Sequence, residues 1–186
     1  MTTYLTLYDL LNSQAKLIPN APALLAPHKE ALSYYQLFEV INYVVQFLRE
    51  RDIRRNDPVA IVLPNGPEMA LSFLAVASCA TAAPLNPNYR ASEFDFYLTD
   101  LQAKALITLQ DWNTPARQVA AEKGITIFEL EPVTHIAGKF ILQAPSPAKQ
   151  QSIIDLAQSE DVALILHTSG TTSRPKMVPL MQKNLC

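Results

Sequence analysis

Five short stretches, at 58–63, 81–85, 104–109, 125–130 and 161–167, are each the length of one strand, the first of them a continuous apolar run, and helical patterns separate the first four. A strand that is apolar along its length, without polar alternation, is covered on both faces. Successive parallel strands need a crossover over one face of the sheet, and a helix is the usual way to build it. Strand–helix alternation with short turns therefore predicts an α/β fold. It is a doubly wound, mainly parallel sheet with helices on both faces.

Local signals place the elements around these strands. Thr6 and Asp9 have capping-box spacing, and Pro19 ends the helix they open. An extended stretch at 23–26 can pair with 31–32 around a turn at 27–30. Ser33, with Gln36 three residues on, opens a second helix, whose Leu37, Ile41, Val44 and Leu48 fall on one face. Pro67 suits the first position of a helix running to about Ala80. Ser92, with Asp95 three residues on, reads as the cap of a helix reaching Leu101. Residues 114–123 read as a helix stopped at Gly124, and the proline-bearing stretch 131–151 as a long surface connection.

Composition narrows the function classes. Hydrophobic residues make up 49% of the 186, which supports a core and argues against wholesale disorder. Charged residues make up only 17%, so some surface is expected to be covered. With 15 basic and 17 acidic residues the net charge is -2, which leaves no electrostatic footprint for nucleic acid or an anionic membrane. The uncharged run 69–85 is 17 residues long, short of the ~20 that a membrane span needs. It reads as a buried helix followed by a buried strand. The first ten residues show no secretory leader pattern, and Cys79 and Cys186 cannot make a disulfide framework. A cytoplasmic setting is expected.

Most chemistry-bearing residues point nowhere. His28, His135 and His167 have no metal-ligand spacing. His167 ends a strand and reads as structural, and Asp95 and Asp100, near Glu93 on a helix, as solvated. No Ser/His/Asp set is apparent, and Trp112 and the tyrosines are not interleaved with basic residues. The four glycines, Gly66, Gly124, Gly138 and Gly170, have neither the G-x-G-x-x-G nor the Walker spacing.

The exception follows the last strand: Thr168-Ser-Gly-Thr-Thr-Ser-Arg-Pro-Lys176. Hydroxyls donate to phosphate oxygens without bulk, Gly170 lets the backbone approach and form an anion nest, and Arg174 and Lys176 neutralise charge. The carboxyl end of a parallel strand is where open α/β sheets bind ligands. The same composition also suits a polar turn between two strands.

The stretch from Leu166 to Leu180 resembles the phosphate-binding signature of the adenylate-forming enzymes. That superfamily includes acyl-CoA synthetases, non-ribosomal peptide adenylation domains and luciferases. Val59-Ala-Ile-Val-Leu-Pro-Asn-Gly-Pro-Glu68 resembles its first core strand and turn, and Ala83-Pro-Leu-Asn-Pro87 with Glu93 and Asp100 its second block. Ser173 and Met177 depart from the pattern, standing where the family most often has glycine; this predicts a stiffer loop. The form of the loop is most similar to the oxalate–CoA ligase branch.

The resemblance implies that Thr168, Ser169, Gly170, Thr171, Thr172, Ser173 and Lys176 bind ATP phosphates. It implies a ligase that activates a small-molecule carboxylic acid as its acyl-adenylate and transfers it to CoA. The Mg²⁺ ligand, the adenine and ribose contacts and the catalytic lysine are expected beyond Cys186. Residues 1–186 would then be an amino-terminal subdomain without catalytic residues of its own, its remainder following in the same chain or supplied by another. On that view the chain alone is catalytically silent. About nine loop residues at ~1 kcal/mol each offset ~4–6 phosphate bonds of ~1–2 kcal/mol, so ATP binding is expected at about millimolar or weaker, with residues 168–176 unordered without ligand. A non-catalytic nucleotide- or partner-binding module, or an inactive structural fragment, are the alternatives.

Overall fold

The computed structural model describes residues 5–148, 155–168 and 175–186. Helix α1 (Leu7–Leu17) starts where expected: the Thr6 hydroxyl accepts from the Asp9 N–H at 3.1 Å. Strands β1 (Pro22–Leu24) and β2 (Leu32–Ser33) form a small antiparallel hairpin. Ser33 then opens α2 (Tyr34–Arg49) with a complete capping box, in which the Gln36 side chain accepts from Ser33 N and Ser33 Oγ from Gln36 N. Leu37, Ile41, Val44 and Leu48 are all buried on one face of α2.

The strand–helix alternation follows: β3 (Pro58–Val62), α3 (Pro67–Ala77), β4 (Thr81–Pro84), α4 (Ala91–Asp100), β5 (Ala105–Leu109), α5 (Pro115–Glu122) and β6 (Thr126–Pro132). After it come β7 (Phe140–Gln143), β8 (Val162–Thr168), β9 (Lys176–Met181) and α6 (Gln182–Leu185). The main sheet has seven strands in the order β7-β6-β5-β3-β4-β8-β9. The inner pairings are all parallel, while β7 and β9 are antiparallel edges. The sheet is thus mainly parallel and doubly wound, as expected, with an antiparallel strand at each side.

Period-2 alternation divides the core in two. Val59 and Ile61 of β3 face α1, α2 and α3, whereas Ala60 and Val62 face α4 and α5. The uncharged run 69–85 becomes most of α3 followed by β4, buried rather than lipid-facing. Among the described residues no helix is long and apolar enough to cross a membrane.

Two expectations need correction. The cap of α4 is Arg90, not Ser92: the Glu93 carboxylate reaches back to accept from Arg90 N at 2.8 Å, so Glu93 rather than Asp95 is the reciprocal residue. The stretch 131–151 is not all surface connection, because 140–143 forms β7 against β6 with alternate residues buried. The Leu130 carbonyl accepts from Gln110 N, on the side away from β7. Leu142, opposite Leu130, therefore turns its own polar groups outward, where the Tyr43 hydroxyl donates to its carbonyl at 3.1 Å and accepts from its N–H at 2.9 Å.

Two glycines sit at positive φ with different surroundings. Gly124 (φ +68) ends α5 in open space, whereas a Cβ on Gly138 (φ +75) would come 2.8 Å from Leu24 Cδ1 and 3.0 Å from the Pro67 carbonyl oxygen. Gly124→Ala should cost about 1 kcal/mol and Gly138→Ala about 2 kcal/mol or more, read as the shift in urea midpoint. Equal costs would show that the 133–139 turn is not wedged against α3.

Candidate functional site

The connections of β3 and β5, neighbours in the sheet, leave in opposite directions: β3 leads through α3 to β4, and β5 through α5 to β6. Diverging connections open a crevice at the carboxyl ends of such strands, which is where ligands bind in open α/β sheets. A cleft of about 760 Å³ lies there. Its walls come from Pro64 and Asn65 after β3, Asn86 and Asn88 after β4, Trp112 after β5, and Leu166 of β8. Among the described residues the walls offer amides, an indole and apolar groups, and no ionisable side chain.

Charge and hydroxyls come from the β8–β9 hairpin beside it. Thr168 and Lys176 face each other as the last registered pair, with Thr168 Oγ1 3.5 Å from the Lys176 carbonyl oxygen. Lys176 is exposed. The structure thus brings together the first and last of the expected phosphate ligands at the neck of one hairpin. Ser169, Gly170, Thr171, Thr172 and Ser173, with Arg174, lie outside the described residues, and with them the expectation about the loop's order, except at its two ends, Thr168 and Lys176, which are paired strand residues.

Side chains hold the root of this hairpin. The Asp161 carboxylate, just before β8, accepts from Arg55 Nε at 2.7 Å and Arg55 Nη2 at 2.9 Å. It also accepts from Asn56 Nδ2 at 2.9 Å and from the Gln158 N–H at 2.7 Å. These bonds, the Arg55 pair first, hold the Asp161 carboxyl down at about 2, against an opposing push from burial. Asn56 Oδ1 accepts from Val162 N at 2.8 Å, and the Thr81 hydroxyl donates to the Val162 carbonyl at 2.7 Å. At the far end of β9, the buried Gln182 side chain donates to the Ala77 carbonyl and accepts from Leu7 N. No motif announces these residues in the sequence, because each pairs with a partner remote along the chain.

Other candidates sort themselves by contact. His167 packs edge-on against Tyr97 and bonds Asp100, so Asp100 is a partner rather than a merely solvated carboxylate. Asp95 is well exposed and pairs with Lys123. Burial pushes the Cys79 thiol up to about 12, which makes it inert, and both cysteines are free. Among the described residues no group of three His, Cys, Asp or Glu could hold a metal. The one carboxylate tied to the hairpin neck among them, Asp100, is occupied by His167.

The sequence profile of the AMP-binding enzymes matches residues 11–186. The chain belongs to that family. An oxalate–CoA ligase from Arabidopsis thaliana is 40% identical over 187 residues, which cover 97% of this chain and 36% of the relative. A probable CoA ligase from Humulus lupulus is 38% identical over 190 residues, covering 100% of this chain and 36% of the relative. Among solved structures, apo MatB from Rhodopseudomonas palustris superimposes with a TM-score of 0.76 at 25% identity, covering 97% of this chain and 35% of that one. The chain thus spans about a third of the length of these AMP-binding relatives.

The clamp at Asp161 makes a pH prediction. Its folded carboxyl lies at about 2 against an ordinary 3.8, so the stability it contributes is present above 3.8 and is lost as pH falls toward 2. The contribution is on the order of 1–2 kcal/mol once solvent screening is allowed for. Asp161→Asn should lower stability at neutral pH and flatten the fall in unfolding midpoint between pH 4 and about pH 2. A wild-type-like acid profile in that variant would remove Asp161 from the account.

Proposed function

We propose that this chain is the amino-terminal portion of an ATP-dependent acid–CoA ligase, in which its β8–β9 hairpin holds ATP phosphates. The observation that carries the reading is the position of Thr168 and Lys176. They stand at the neck of a hydroxyl-rich loop, at the carboxyl end of a parallel strand, beside the crevice of an AMP-binding fold. In the reaction the acid's carboxylate oxygen attacks the α-phosphorus, the bond to the bridging oxygen breaks, and pyrophosphate leaves. The CoA thiol then attacks the acyl carbon, releasing AMP and a proton. Mg²⁺, when bound, would supply charge neutralisation on the phosphates.

In this scheme the chain's task is positional and electrostatic. The Thr168 hydroxyl donates to a phosphate oxygen, with Ser169, Thr171, Thr172 and Ser173 doing the same and Gly170 letting the backbone close in. The Lys176 ammonium stabilises the charge gathering on the departing pyrophosphate. The identity to oxalate–CoA ligase supports a small dicarboxylic acid such as oxalate as the substrate. The family's chemistry in a soluble, cytoplasmic enzyme agrees with two free cysteines.

ATP–pyrophosphate exchange by the complete enzyme tests both parts. Lys176→Ala should lower kcat/KM about ten- to a hundredfold, the worth of a charge-assisted contact; unchanged kinetics would make Lys176 a plain surface charge. Oxalate should support more exchange than a long-chain fatty acid, and exchange that rises with acyl length would overturn the substrate class.

A further inference from the structure

The carboxyl half of β8 has little backbone holding it to the body of the sheet. Its ladder with β4 is confined to Ala82 and Leu164, and beyond that point its strand partner is β9 alone. A two-stranded ribbon is marginal without side-chain support. Two residues of this arm reach back to the body. Ile165 packs into the core under α4, and His167 docks on α4 itself.

The His167 side chain is only 3% exposed, and its Nε2 lies 3.1 Å from Asp100 Oδ2. Its ring meets Tyr97 edge-on at 4.6 Å, and Tyr97 stacks on Tyr89 at 4.8 Å. Tyr89 directly follows the 86–88 wall of the cleft. A carboxylate only accepts, so the proton of this bond sits on Nε2. Nδ1 is buried and has no partner among the described residues.

We propose that Asp100 and His167 are positioning residues: their bond fixes where the β8–β9 arm delivers Thr168 and Lys176, and so sets the affinity of that neck for the phosphates of a nucleoside triphosphate. The proposal rests on the adenylating reading above. Neither residue touches substrate; both act through the pair at the end of the arm. The aromatic stack carries the same restraint to Tyr89, so the cleft wall and the neck are held against one helix.

Two measurements test it. In the 186-residue chain, Asp100→Ala should speed amide hydrogen exchange at 166–168 and 176–178 about tenfold and leave β3 and β5 unchanged. In the complete enzyme, assayed by ATP–pyrophosphate turnover with oxalate, the same substitution should raise KM for MgATP about tenfold and leave KM for the acid unchanged. Asp100→Asn keeps an accepting oxygen and should restore both. His167→Phe keeps a ring on Tyr97 without the donor and should behave like Asp100→Ala. Unaltered hydrogen exchange in the arm, or equal acceleration in every strand, would overturn the tie. A loosened arm with unaltered KM for MgATP would overturn the positioning role. If the wild-type enzyme turns over no carboxylic acid, the adenylating reading fails instead, and hydrogen exchange still decides the tie.

Discussion

A buried carboxylate decides where the β8–β9 hairpin sits. Between β4 and β8 the backbone contributes one registered pair, far less than the inner strands share, so side chains hold β8 in place. Asp161 gathers Arg55, Asn56 and the Gln158 N–H around its two oxygens, and Asn56 and Thr81 take the two backbone groups of Val162. Removing a charge from water is costly unless its lone pairs are filled, and here they are. The loop that offers Arg55 and Asn56 is itself fixed by Arg49, whose buried guanidinium donates to the carbonyls of Ile53, Cys79 and Asp155. One cation thus ties the end of α2, the turn after α3 and the approach to β8 into a single base for the hairpin.

What the chain displays openly is what depends on neighbours in sequence. The capping boxes at Ser33 and the cap at Thr6 act over three residues, and the face of Leu37, Ile41, Val44 and Leu48 over one helix. The buried strands announce themselves because both sheet faces are covered, so β3 carries no polar side chain and β5 only Thr108. The α4 cap misled for a local reason as well: Ser92 has the preferred hydroxyl, but Arg90 has the extended backbone and Glu93 the reach.

The hidden parts depend on distance or on edges. Strand β7 has four residues between proline-bearing segments and buries only alternate ones, too brief for a pattern. Strand β9 contains Pro179, which argues against a strand by propensity and is tolerated because β9 lies at an edge of the sheet. The antiparallel return is what sets Lys176 opposite Thr168, so the loop's chemistry was legible while the pairing at its neck was not. The Asp161 clamp spans more than a hundred residues and has no period to betray it.

The hydroxyl of Tyr43, bonded to both outward groups of Leu142, seals one border of the sheet. A strand arriving at β7 would have to break two hydrogen bonds and displace an aromatic ring before forming any of its own. Enlargement of the sheet on that side, whether by evolution adding chain or by an experimenter grafting it, would therefore begin at a loss.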